Sequence, residues 1–509
     1  MSTIPTITNT GQTEWENRHK TFSDRIEGLY DMWNAHSEDL IGGYNAMTST
    51  IQAFIAQAIS DNTTVRALGA GWSFTRVAVT AGRMLNTKPL NWRFHLPESD
   101  IAPRYRGSRR HLLFAQCGCS IQELNLHLKR SQQCLPTSGA SNGQTIAGAL
   151  STGTHGSAFD VGAIPEYVVG LHLIVGPDRH VWLERASYPV ITDSFAARLN
   201  AECVRDDALF NAALVSFGSF GFIHGVLLET EDLYLLETYR VRHPLDTPLR
   251  RLMATLDFDE ATGLPFGTKR PFHFQVTVNP YDLKDGAYCS VMYKHPYKPD
   301  YTPPPFSKSG HAPGDDAPAF LGGLRNSLPV LVPFLVNWLL KSVYKPYTEP
   351  VWGIPSEIFT NTDVRGKVMS TAIAFPLNCV NAVTDLLLEL NRTEGPFSGV
   401  FAYRYVKSTS ATLGFTRFKP ITCVLELDGL LCHRDQQFCE KVWEALEAER
   451  IPYTVHWGKC CELNPVRLRN MYEADLDAWL AARNQLLDPA CRRVFTNGLM
   501  EEWGLGSTA

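Results

Sequence analysis

The chain has 509 residues, 44% hydrophobic and 19% charged, with a formal net charge of −5 at pH 7. That length is more than one hydrophobic core serves, so two or more domains are expected, and the charge gives no electrostatic reason to expect a nucleic-acid partner. Residues 1–11 show neither a basic n-region nor an apolar h-region, so no signal peptide is read there, and the twelve cysteines lack metal-ligand spacing. Reduced thiols in a cytoplasmic protein, with no metal site, are the expectation.

In chain order, residues 48–60 place Ile51, Phe54, Ile55 and Ala58 on one helical face. An apolar strand then runs into a glycine turn, Val65-Arg-Ala-Leu-Gly-Ala-Gly-Trp-Ser-Phe74. Ser120 with Glu123 forms a capping box that starts a helix. Residues 136–157 follow, in which Gly139, Gly143, Gly148, Gly153 and Gly156 alternate with hydroxyl and small side chains. Such a run exposes backbone N–H groups and lets a flat or anionic ligand approach the main chain. No Lys follows the glycines as in a Walker loop, and no G-x-G-x-x-G links a strand to a helix. Two separate glycine turns point to one extended ligand with a phosphate-bearing middle.

Residues 167–175, closed by Gly-Pro-Asp, read as a strand and its turn. From about residue 270 the pattern changes to alternating strands at 272–278 and 290–293, and 295–318 reads as a long mobile loop. Residues 328–340 are apolar nearly all round, yet shorter than the roughly 20 residues a membrane span needs, and are interrupted by Pro333 and Asn337. A buried helix is the first reading; a peripheral membrane contact or an apolar mouth for a greasy substrate is the alternative. Strands are expected at 401–406 and 422–428 and helices at 380–390 and 436–450, after which 453–459 return to the style of the first domain. No internal repeat is visible.

Several of these segments, with Trp15-Glu-Asn-Arg-His19, Ser216-Phe-Gly-Ser-Phe-Gly-Phe-Ile223, His456-Trp-Gly-Lys459, Leu487-Asp-Pro489 and Phe495-Thr-Asn497, resemble in order the PCMH-type flavin-binding domain of the vanillyl-alcohol oxidase superfamily. The likeness is to its sugar-lactone and alditol oxidase branch. It implies an α+β fold: a two-subdomain FAD-binding domain over 1–240, a substrate domain over 241–450 with a mainly antiparallel sheet flanked by helices, and a segment over 451–509 that returns to the first domain. It also implies FAD, a small-molecule substrate oxidised at a CH–OH group, and oxygen or another acceptor to take the electrons. Amine or C–C bond oxidation on the same fold, or a non-catalytic flavin-binding protein, are the rival readings.

By the same resemblance FAD is held by Arg66, Ala67, Leu68, Gly69, Ala70, Gly71, Trp72 and Ser73 in the first turn. The long run contributes Ser138, Gly143, Gln144, Thr145, Gly148, Ala149, Ser151, Thr152, Gly153, Thr154 and His155. Gly218, Gly221 and Ile223 face the adenine half, and His456 and Lys459 the ring end. Trp72 departs from relatives that carry a covalent flavinyl histidine there; indole cannot serve as that nucleophile, so FAD is expected to be dissociable. Lys459 is assigned to the charge that develops on reduced flavin. His155 is read as a brace for its loop.

The branch's Glu-x-Arg pair appears as Ala402-Tyr-Arg404, without the glutamate. Strand alternation puts Ala402, Arg404 and Val406 on one face, and Val424, Glu426 and Asp428 on one face of the next strand. Glu426 is unlikely to be buried unpaired. Two readings stand: Glu426 as hydroxyl acceptor or base oriented by Arg404, or a Glu426 that pairs structurally with Arg404 or lies at the solvent edge. The loss of the glutamate among Phe401, Tyr403 and Tyr405 suggests a less polar substrate.

Overall fold

The computed structural model describes residues 4–259, 263–305, 329–342, 344–360 and 368–506. The first glycine turn leaves a strand, Val65–Leu68, that pairs in parallel with Arg83–Asn86, which pairs in parallel with Gly28–Trp33; Thr6–Asn9 closes this four-stranded sheet. A six-stranded sheet stands beside it, with Val168–Ile174 and Phe222–Glu229 at its centre. The helix Leu40–Ser60 lays Met47, Ile51, Ile55 and Ala58 into the core shared with Leu113, Ala115, Val226 and Leu228. It starts eight residues before the expected position, because Asp39 caps it by accepting from the Gly42 N–H, ahead of any apolar periodicity. The capping box of Ser120 and Glu123 forms as read.

The remaining chain builds an eight-stranded sheet, antiparallel throughout, from Tyr234–His243 to Thr454–Val455. Its two faces differ sharply. Phe401, Tyr403, Tyr405, Cys423, Leu425 and Leu427 pack with the helices Val380–Thr393 and His433–Ala448. The register sets Ala402 opposite Glu426 and Thr277, Arg404 opposite Gln275, and Ser370 opposite Asp428, so the other face carries a polar patch beside the apolar Ala374, Val406 and Val424. This mixed helix-and-sheet arrangement is the expected fold class. It also corrects one inference: Phe401, Tyr403 and Tyr405 point away from Ala402 into the helix-covered core, so they do not make the surroundings of Ala402 apolar.

The segment read as buried or membrane-facing is both inward and outward. The helix Val332–Ser342 buries Val332, Val336 and Leu340 against Tyr288, Val400 and Leu430, while Leu331, Phe334 and Trp338 are exposed. Residue 328 lies outside the described residues, as do 306–318 of the expected long loop. No helix among the described residues is long and apolar enough to cross a membrane. All twelve cysteines are free, and no cluster of metal-ligand type occurs among the described residues.

Candidate functional site

Glycine placement opens one long cleft between the two sheet systems. Gly71 has φ +70°, and a Cβ on Gly69 would come 2.2 Å from the Thr145 hydroxyl oxygen, so the first turn lies directly against the start of the helix Ile146–Ser151. The motif at 15–19 braces this turn: the Arg18 N–H donates to the Gly71 carbonyl (2.9 Å) and Asn17 Nδ2 to the Ser73 carbonyl (3.0 Å). The chain's late turn is bolted on from the other side, Phe74 N–H donating to Gly458 O (2.8 Å) and Thr75 Oγ1 to Trp457 O (2.7 Å). The cleft encloses ≈ 1910 Å³ of empty space, its open mouth included, and runs from the glycine turns to Arg404, Glu426, Asp428 and Lys459.

At that end Glu426 is gripped from both sides. Arg404 NH2 lies 2.7 Å from Oε2 and Lys459 Nζ donates to Oε1 at 2.8 Å, while His155 Nε2 stands 3.9 Å from Oε1. Arg404 reaches it diagonally across the ladder, because Ala402, not Arg404, is directly opposite Glu426. Lys459 arrives on a turn whose flanks are tied to the neighbouring strand, His456 N–H to Ala372 O (3.0 Å) and Cys460 N–H to Ser370 O (2.8 Å). Burial alone would raise the Glu426 carboxyl, but Arg404 and Lys459, with a smaller part from His155, outweigh it and hold it well below the ordinary carboxylate range. Asp428, two residues on, is raised by burial, with Lys459 opposing. A carboxylate held this way is a poor proton acceptor and a strong anchor for two cations.

Most of the expected cofactor residues line this cleft: Ala67, Gly69 to Ser73, Gln144, Thr145, Gly148, Ala149, Ser151, Thr152, Thr154, His155, Gly218, Gly221, Ile223, His456 and Lys459. Five do not. Arg66 is buried behind the wall, NH1 donating to Phe217 O (2.8 Å), so it sets the turn that carries Gly218 and Gly221. Leu68 packs with Ile26, Leu29 and Met84, Ser138 Oγ accepts from Asn125 Nδ2, and Gly153 faces Phe415. Gly143 lies under the Trp72 indole, where a Cβ would meet the ring at 2.7 Å. The cleft also takes in His19 and Ser370, for which the sequence suggested no role. Ser370 becomes legible only with the register that sets it opposite Asp428.

Residues 46–183 match the sequence profile of a family described as "FAD binding domain". The chain contains an FAD-binding domain. Over 204 residues it is 26% identical to a D-arabinono-1,4-lactone oxidase of Debaryomyces hansenii, covering 39% of this chain and 33% of that protein. Over 249 residues it is 27% identical to an L-gulono-1,4-lactone dehydrogenase of Mycobacterium tuberculosis, covering 49% of this chain and 48% of that one. The matches thus span a third to a half of these relatives' length, and the likeness to sugar-lactone oxidoreductases is to that part. Its fold is that of a cholesterol oxidase from Brevibacterium sterolicum, with a TM-score of 0.69 over 98% of this chain and 97% of that one at 15% identity.

The residues of the FAD-binding domain suit such a ligand. Trp72 Nε1 and Gln144 Oε1, a donor and an acceptor, are buried without a hydrogen-bond partner among the described residues, and both residues line the cleft. The walls at Gly69 and Gly71 have no side chain to obstruct a close main-chain approach. The Trp72 ring itself is fixed by the His19 ring edge-on at 5.5 Å and by the Arg18 guanidinium 5.0 Å from its centroid.

Proposed function

We propose that the protein is an FAD-dependent oxidoreductase that removes two electrons and two protons' worth of hydrogen from a CH–OH group. Residues 1–240 with 451–509 hold the cofactor, and 241–450 supply the substrate side. The observation that carries this reading is the continuity of the cleft, from two glycine turns to a buried Arg404–Glu426–Lys459 cluster. Bound FAD would supply the hydride acceptor and hand its electrons to oxygen or another acceptor. Glu426 holds Arg404 and Lys459 in place; these two cations, beside an Asp428 carboxyl that burial raises, favour an anion at the ring end of the cleft. Trp72, lacking a nucleophilic ring atom, leaves the cofactor dissociable.

The test is made on purified protein reconstituted with FAD. Acid precipitation is expected to leave the yellow colour in the supernatant; colour in the pellet would refute dissociable binding. Anaerobic mixing with D-arabinono-1,4-lactone, L-gulono-1,4-lactone, cholesterol and benzylamine is expected to bleach the flavin with at least one alcohol, with a carbonyl product. Bleaching by the amine alone, or by none of the four, sinks the CH–OH reading.

A cytoplasmic location is supported by the twelve unpaired cysteines. The helix Val332–Ser342 supports a peripheral membrane contact through 328–340, since Leu331, Phe334 and Trp338 recur along one exposed stripe with Lys341 following. Sedimentation with phosphatidylglycerol vesicles is expected to carry down the wild type and to lose the F334D/W338D double variant; equal pelleting of the two would remove the proposal.

A further inference from the structure

Two histidines of the cleft are locked by the main chain into opposite forms. His155 Nδ1 lies 2.9 Å from the Gly156 carbonyl oxygen, which can only accept, so Nδ1 carries the hydrogen and Nε2 is a bare lone pair. His456 Nδ1 lies 3.0 Å from the Gly458 N–H, which can only donate, so there the hydrogen sits on Nε2. Both rings are neutral at physiological pH. Burial lowers His155 to about 4, with Glu426 opposing and Arg404 and Lys459 adding to the drop. Burial likewise takes His456 well below its ordinary range, Lys459 and His155 adding to it and Glu426 opposing.

Both residues line the cleft, their ring centroids 6.0 Å apart, and neither Nε2 makes a hydrogen bond to a described residue. A donor and an acceptor therefore both lie in the cleft near the charge cluster, with no group among the described residues hydrogen-bonded to either. A hydroxyl is the group that needs one of each. Glu426 is the weaker proton acceptor, because Arg404 and Lys459 each hold one of its oxygens and keep its carboxyl well below the ordinary range.

Resting on the CH–OH oxidation above, we propose that His155 Nε2 takes the proton of the substrate hydroxyl and that His456 Nε2–H donates to the same oxygen and orients it. The O–H bond breaks, its proton going to Nε2 and its electron pair closing the new C=O bond. The C–H hydrogen would leave with its bonding pair, for which FAD, when bound, would supply the two-electron acceptor. The imidazolium so formed keeps its Nδ1–H on Gly156 O and gains the Glu426 carboxylate, 3.9 Å from Nε2, as its counter-charge. Glu426 thus acts as a positioning and charge-balancing residue, and His155 as the catalytic base.

The experiment pairs a nitrogen spectrum with a kinetic one, both on the FAD-loaded protein. With ¹⁵N-labelled histidine at pH 7, assigned through H155N and H456N, His155 is expected to be protonated at Nδ1 and bare at Nε2, and His456 the reverse. A proton on His155 Nε2 overturns the proposal. H155N keeps an N–H where Nδ1 meets Gly156 O but has nothing to accept a proton. With FAD content and dithionite reducibility measured first and rates taken per bound flavin, it is expected to be bleached by the reactive alcohol of the panel at least about 100-fold more slowly than wild type. H155Q serves as the second variant. Equal bleaching rates overturn the base role. If no panel compound bleaches the wild type, the oxidation itself and the proton transfer with it are refuted, while the nitrogen spectrum still decides the ring forms independently.

Discussion

Glu426→Gln is expected to lower the stability of the holoenzyme by about 3–5 kcal/mol, the range for removing one partner of a buried ion pair. The substitution keeps the shape and strips the charge, leaving the Arg404 guanidinium and the Lys459 ammonium without the carboxylate that joins them and with only Asp428 close by to offset them. Side-chain exposure is 4% at Glu426, 7% at Arg404 and 19% at Lys459, so water can relieve only the lysine. The measurement is a thermal melt at fixed FAD concentration. Adding Lys459→Met to Glu426→Gln should recover part of the loss, because one of the two stranded charges is then gone. The pH dependence has a definite sign. A carboxyl depressed in the fold contributes stability above its unfolded pKa, near 4.3, and that contribution is lost as pH falls through and below this range. The wild type's advantage over Glu426→Gln should therefore begin to shrink below about pH 4 and vanish only as pH falls through the far lower folded-state value. Identical melts at pH 7 would show that the cluster carries no such load.

This cluster also shows how far the residues could be read without coordinates. Strand alternation alone gives the face each of Arg404 and Glu426 shares on its strand, and their pairing follows from the cost of burying a charge unpartnered if the strands are neighbours. Period-two patterning does not specify register, however. That Ala402 and not Arg404 lies opposite Glu426, and that Ser370 meets Asp428, depends on how the hairpins align. The aromatic residues flanking Ala402 show a related limit: they are near it in sequence and not in space, because neighbours on a strand point apart. The glycine turns were legible because their requirement is local, a backbone conformation and a missing Cβ. Arg66 was not, since an arginine in such a turn could serve an anionic ligand or a carbonyl; only the fold shows that Phe217 O takes it. The two histidine forms were beyond reach as well, because each is fixed by one main-chain group a residue or two away, at a distance that a loop's sequence does not specify.

Gly221→Ala is expected to be far more damaging than Gly218→Ala, although the two glycines belong to one turn and both line the cleft. Gly218 has φ +71°, and the nearest atom to an added Cβ is Arg66 NH1 at 3.6 Å. The alanine there meets only the left-handed backbone cost, roughly 1–2 kcal/mol. Gly221 has φ +96°, and its Cβ would stand 2.5 Å from Ile174 O and 3.2 Å from Val175 Cα. Those are main-chain atoms at the end of the central strand Val168–Ile174, so no side chain can rotate to make room. Either that strand end or the turn must move. Moving the turn shifts Gly218 and Ile223 along the cleft wall, and it pulls on the Phe217 carbonyl that the buried Arg66 guanidinium holds. Backbone strain and overpacking together put the loss on the order of 3–5 kcal/mol. Melting temperature and FAD content after gel filtration are the readouts. The Gly218 variant should stay yellow with a small drop in Tm, and the Gly221 variant should be recovered poorly and without cofactor. Equal FAD content in both would mean that the wall at Ile174 yields, and that the turn's position is set by Arg66 alone.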